Sequence, residues 1–233
     1  MRHLSKNLLV LLIMVPFIFF SCSTDDDGYT NPPTTELNSK IYNLGTVGDF
    51  GVSGTAKFIE NSDTTLSVEL DLQNTPAGGT HPAHIHFNTA AEGGAIALSL
   101  EAVNGDTGTS ITTFTTLDDG TAVTYQDLID FDGYINVHLS AEELSTLVTQ
   151  GDIGQNELTG AKKSYDLSEK DVAGINGTIE FAERVNQTTL VTINLAGTPN
   201  GGSHPTHIHE NDIATTGNII VGLNAVNGDT GIS

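Results

Sequence analysis

Thr64–Gln73 reads TTLSVELDLQ, and its alternation decides the fold class. Leu66, Val68, Leu70 and Leu72 fall on one face, with Ser67, Glu69 and Asp71 on the other. A period of two is the mark of a half-buried strand. Thr188–Ala196 (TTLVTINLA) repeats the pattern less cleanly through Leu190, Val191, Ile193 and Leu195. Outward from these, strands are predicted at 51–59, 83–87, 95–101, 111–116 and 133–139, separated by Gly-rich or Asn/Asp turns. Two short helical signals interrupt. One is Tyr125–Asp130; the other follows Ser140, where Ser140 and Glu143 have capping-box spacing ahead of Leu144, Leu147 and Val148. About seven short strands in roughly 120 residues predict an all-β fold, an antiparallel Greek-key β-sandwich or barrel.

The chain repeats itself without a gap. KIYNLGTVGDFGVSGTAKF (40–58) aligns with KSYDLSEKDVAGINGTIEF (163–181), TPAGGTHPAHIH (75–86) with TPNGGSHPTHIH (198–209), and AVNGDTG (102–108) with AVNGDTG (225–231), always 123 residues apart. This constant offset is the signature of duplication. The expected organisation is a complete module at 40–162 and a truncated second copy at 163–233 that lacks counterparts of 111–162. Either the chain continues past Ser233 or the gene ends there. In the latter case the half-module pairs with copy one, self-associates with a second molecule, or stays poorly ordered.

The 233 residues hold 29 acidic against 8 basic side chains, a formal net charge of -21. Such a balance leaves no basic footprint for nucleic acid and no polybasic patch for anionic lipid. One cysteine excludes an intramolecular disulfide framework. That cysteine, Cys22, follows a basic start (Arg2, Lys6) and an apolar run, Leu8–Phe20, too short to span a bilayer comfortably. The arrangement resembles a bacterial lipoprotein signal: residues 1–21 are cleaved and Cys22 is lipidated, anchoring the chain to a membrane. An ordinary secretory signal is the alternative. Cleavage removes two basic residues and takes the net charge to -23. Residues 22–39 then form a lipid-anchored, flexible acidic tether. Within it Asp25–Asp27 is similar to the export signal of surface lipoproteins in Bacteroidetes-type bacteria. The expected location is the cell envelope, as an outer-membrane lipoprotein facing the periplasm or exported to the surface.

Seven of the eight histidines lie in motifs. His81-Pro-Ala-His84-Ile-His86 is repeated as His204, His207 and His209, and His138 stands in GYINVHL (133–139). Residues two apart on a strand share a face, so His84 and His86 point one way and Ile85 the other. In the His138 strand, Ile135, Val137 and Leu139 share one face and Tyr134, Asn136 and His138 the other. Where these strands are neighbours, three imidazoles meet, a donor set suited to copper or zinc, with copper favoured by the divalent affinity order. The alternative is that the histidines hydrogen-bond backbone and fix strand ends.

HPAHIHFN (81–88), YQDLIDFDGYINVHLS (125–140) and GQNELTG (154–160) together resemble the CHRD (chordin-type) domain. The resemblance covers 40–160 fully and 163–233 in part, and Thr159 stands where the family's closing motif has arginine. The same histidine spacing is similar to copper/zinc superoxide dismutase, which implies a dismutase-like or immunoglobulin-like sandwich. It further implies His84, His86 and His138 as copper ligands and His81 as their supporting histidine, with His207 and His209 as second-copy counterparts and His204 as the support there. Departures weigh against the activity. No histidine lies between His86 and His138 to bridge to a second metal, no arginine guides superoxide, and an acidic domain repels that anion. The expected function is therefore a non-catalytic binding or structural module for a protein or extracellular ligand, with metal binding as an attribute. A copper-dependent dismutase-like metalloenzyme is the alternative. Asn104–Gly108, its twin Asn227–Gly231, and Asp118–Gly120 read as tight turns rather than calcium loops. No nucleophile elbow, catalytic carboxylate pair or phosphate-binding glycine loop is recognisable.

Overall fold

The computed structural model describes residues 34–233. The signal-peptide reading, Cys22 and the acidic run lie outside the described residues.

Thirteen strands and one short helix follow in order. In the first copy they are β1 (Glu36–Thr46), β2 (Ser53–Asn61), β3 (Leu66–Gln73), β4 (Thr80–Phe87), β5 (Ile96–Asn104), β6 (Thr109–Phe114), α1 (Tyr125–Ile129), β7 (Asp132–His138) and β8 (Leu147–Gly154). β9 (Leu158–Leu167), β10 (Asn176–Arg184), β11 (Thr189–Ala196), β12 (Ser203–His209) and β13 (Ile219–Asn227) complete the chain. β1–β8 form one antiparallel sheet in the order β5-β4-β7-β8-β1-β2-β3-β6. Its two end strands, β5 and β6, are consecutive and meet through the Asn104–Thr109 turn, so the sheet nearly closes. The hairpin-linked run β4, β5, β6 with β7 returning beside β4 is a Greek key. The all-β class and the antiparallel sandwich-or-barrel architecture predicted from the alternation are therefore what the chain forms.

One core fills the first copy. Leu66, Val68, Leu70 and Leu72 are all buried in it, joined by Tyr42, Leu44, Phe58, Ile85, Ile135, Val137, Val148 and Ile153. Tyr42 and Phe58 meet edge to face at 5.3 Å. Burial pushes the Tyr42 hydroxyl pKa up to about 12. Strand contact also fixes the small residues. A Cβ on Gly54 would lie 2.1 Å from the Asp71 carbonyl oxygen, and its counterpart Gly177 has the Asn194 carbonyl at 1.9 Å.

Three boundaries move. β1 begins at Glu36, so residues 36–39, read as tether, are strand, with Asn38 opposite Glu60 and Ser39 opposite Ile59. The copy boundary at 162/163 falls inside β9, which pairs with β10 along most of its length. The helix expected after Ser140 does not form: Glu143 donates to the Ser140 carbonyl at 3.2 Å and Thr146 to the Glu143 carbonyl at 3.0 Å, which makes turns. Leu147 and Val148 instead join β8, because pairing with β7 and β1 buries Val148 completely, a gain no isolated helical turn offers. The capping box lies one element earlier, where Thr124 and Asp127 reciprocally cap α1. The Asn104 turn is as expected, with Asn104 Oδ1 accepting from the backbone N–H groups of Asp106 (2.9 Å) and Thr107 (3.1 Å).

The second copy reproduces β2 to β5 as β10 to β13 at the 123-residue offset, as a three-stranded sheet β11-β10-β9 and a two-stranded sheet β12-β13. Its turn repeats too: Asn227 Oδ1 accepts from Asp229 (2.8 Å) and Thr230 (3.2 Å).

Candidate metal centre

The β4–β7 ladder assembles the site. Its register sets His84 opposite Asn136 and His86 opposite Tyr134, and His138, two residues beyond Asn136, lies on the same face of β7. The alternation within β4 is as the sequence predicts. Ala83 and Ile85 enter the core, and His84 and His86 occupy the opposite face, both half-buried. His138 is buried at 7% exposure.

One nitrogen from each of His84, His86 and His138 lies within 4.8 Å of the other two. His84 Nδ1 and His138 Nε2 are 3.2 Å apart. Three imidazoles at the usual metal–nitrogen distance of about 2.0–2.1 Å set their nitrogens roughly 3.3–3.5 Å apart, so a small inward shift of His86 completes the set. The rings are already splayed around a common point: His84 meets His86 at 5.7 Å and 85°, and His138 at 5.1 Å and 66°.

The surroundings keep the site in its ligand form. Burial, then the His138 and His86 rings, hold the His84 pKa below the ordinary imidazole value. Burial does the same to His138, against a small opposing pull from the Leu144 backbone. Neutral imidazole is the species that ligates a metal. His86 is held from behind. Its Nδ1–H donates to the Gly94 carbonyl at 2.9 Å, and its Nε2 lies 3.1 Å from Asn136 Oδ1. A carbonyl behind a ligand histidine is the common means of aiming its other nitrogen at a metal. Tyr134 stacks on the same ring at 4.8 Å and 17°. Nδ1 of His138 is buried without a hydrogen-bond partner.

His81 shares the parity of Ala83 and Ile85, not of the ligands, and is 1% exposed. Its Nδ1 lies 2.8 Å from the Leu139 carbonyl and its Nε2 3.1 Å from that of Pro76. It therefore ties the 75–79 turn to the backbone next to His138. In the second copy, His207 and His209 keep the pairwise geometry (6.1 Å, 86°), and His209 Nδ1 meets the Gly217 carbonyl at 3.0 Å as His86 meets Gly94. Both are exposed, and among the described residues no third histidine joins them. His204 Nε2 is buried without a partner.

Two contributors had escaped the sequence reading. Asn136 stands on the histidine face of β7 by alternation, so its presence was legible but its contact with His86 was not. The Gly94 carbonyl had no sequence signal, because its role depends on how the 88–95 loop folds back over β4.

No protein-family model, no curated protein and no solved structure matches the chain.

Proposed function

We propose that this chain is a cell-envelope lipoprotein, anchored to the outer membrane through Cys22, whose CHRD-like first module is a non-catalytic copper-binding module. The observation that carries the reading is the convergence of the His84, His86 and His138 nitrogens within 4.8 Å of one another. Two of these rings are held toward the neutral state by burial. Copper is preferred over zinc because an all-imidazole donor set follows the divalent affinity order. A copper ion bound there would supply a redox-capable Lewis acid. This chain's residues would bind it and aim His86 at it through the Gly94 carbonyl. The net charge of -23 left after cleavage concentrates cations near the module and repels anions.

The test is elemental analysis of full-length protein after copper or zinc loading and desalting, with His84→Ala and His138→Ala beside wild type. One equivalent of copper in wild type, lost in both variants, supports the reading; wild type without stoichiometric metal overturns it. Metabolic labelling with a radioactive fatty acid tests the anchor, which predicts label in wild type and none in Cys22→Ser.

A further inference from the structure

Arg184 is the sole arginine among the described residues, and it is 3% exposed in a chain with a large acidic excess. It stands at the end of β10, in the second copy, yet its partners belong to the first. Nη1 lies 2.8 Å from Asp152 Oδ2, and donates at 3.4 Å to the Asn156 carbonyl. Burial pushes the Asp152 pKa up while Ala90 and Arg184 pull it down. A buried ion pair is seldom a source of stability in itself, which raises the question of what this one holds in place.

Two routes lead from Asp152 to His86. The first is the loop between β4 and β5. Asp152 Oδ1 accepts from the Ala90 backbone N–H at 2.8 Å, and the loop's opening is pinned by Asn156, whose Nδ2 donates to the Asn88 carbonyl at 3.0 Å and to Asp132 Oδ1 at 2.7 Å. Asn156 Oδ1 in turn accepts from Asn186 Nδ2 of the second copy at 3.1 Å. Four residues beyond Ala90, the same loop presents the Gly94 carbonyl to His86 Nδ1–H. The second route crosses the sheet. His86, Tyr134 and Asp152 are register partners across β4, β7 and β8 and so share one face, with Tyr134 stacked on the His86 ring.

We infer that Arg184 is a positioning residue for the metal centre: by clamping Asp152, the second copy holds the 88–95 loop and Tyr134 where they aim His86 at the ion. The duplicated module thus completes the first module's site without donating a ligand. The equivalent position in copy one is Asn61, whose side chain is used locally on Thr65 and Ser67. The role is accordingly specific to the second copy.

This inference rests on the copper reading, and its test separates the two. Full-length wild type, Arg184→Met, Arg184→Lys and the double variant Asp152→Leu/Arg184→Leu are titrated with Cu(II) against a competing chelator. The double variant removes both charges together and so avoids leaving one buried alone. Loss of a group that orients a ligand histidine typically weakens binding about 10- to 100-fold. About tenfold weaker binding is expected in Arg184→Met and in the double variant, with partial recovery in Arg184→Lys. Affinity within twofold of wild type, alongside a lowered unfolding midpoint, overturns the inference and leaves a structural clamp. Wild type that binds no copper overturns the metal reading itself. A metal-free readout decides the positioning role in either case. The His86 Nδ1–H resonance in nitrogen-15 NMR is expected to be protected from exchange in wild type and lost in Arg184→Met, and an unchanged resonance refutes the role.

Discussion

Replacing His81 with alanine separates a residue that shapes the site from one that binds in it. The ring is fully enclosed and bridges two backbone carbonyls, the shorter contact being to Leu139 at 2.8 Å. A carbonyl only accepts, so Nδ1–H donates to Leu139 in the shorter contact. Alanine leaves the Leu139 carbonyl buried without that donor, at about 1–3 kcal/mol. The vacated ring space adds roughly 1–2 kcal/mol more, since the surrounding core relaxes only in part. The expected loss is therefore about 3 kcal/mol, read from the urea midpoint at constant m-value. His204 is the internal control. It occupies the same place in the second copy, half-buried, with Nε2 lacking a partner, and His204→Ala should cost less than about 1 kcal/mol. Equal costs for the two substitutions, or less than 1 kcal/mol for His81→Ala, would refute the assignment of His81 as a backbone tie behind His138.

Copper affinity should fall on acidification by about tenfold per pH unit for each ring that protonates, with His84 and His138 contributing only below the ordinary imidazole pKa of about 6.5 because burial holds them under it. Competition titration across pH checks this; a fall steeper than about tenfold per pH unit above pH 7 contradicts it. Metal-free protein follows the same sign. The folded rings bind fewer protons than the unfolded ones, so stability drops as pH falls below about 6.5, measurable as a lower melting temperature at pH 5.5 than at pH 7.5. Gly54→Ala should destabilise by about 1–3 kcal/mol in thermal melts, although alanine ordinarily stabilises a strand relative to glycine, because its Cβ would meet the Asp71 carbonyl. A neutral or stabilising result would show that β2 and β3 are not packed at this spacing.

Much of the architecture was readable from side-chain period alone. The four apolar residues of TTLSVELDLQ are four core residues, and the parity of HPAHIH correctly sent Ile85 inward and His84 and His86 to the other face. The 123-residue offset in sequence recurs as matched strands, turns and histidine geometry. What local pattern could not supply was pairing. Leu147 and Val148 sit at helical spacing after a capping-box motif, but β7 and β1 offer them burial on both sides. The convergence of His138 with His84 likewise depends on β7 lying beside β4, a consequence of the Greek-key connection. Arg184 carried no motif at all. Its place follows from the β10–β11 turn reaching into the first copy, where Val185 and Asn186 donate to the Glu157 and Gln155 carbonyls at 2.9 and 3.0 Å.

Electron paramagnetic resonance of the full-length protein loaded with one equivalent of Cu(II) tests the central claim most directly. A single copper species is expected, with nitrogen hyperfine structure from three imidazoles, reduced by one nitrogen in His138→Ala and unchanged in His209→Ala. A spectrum indistinguishable from weakly bound copper on exposed carboxylates, or one that His138→Ala leaves intact, would contradict it.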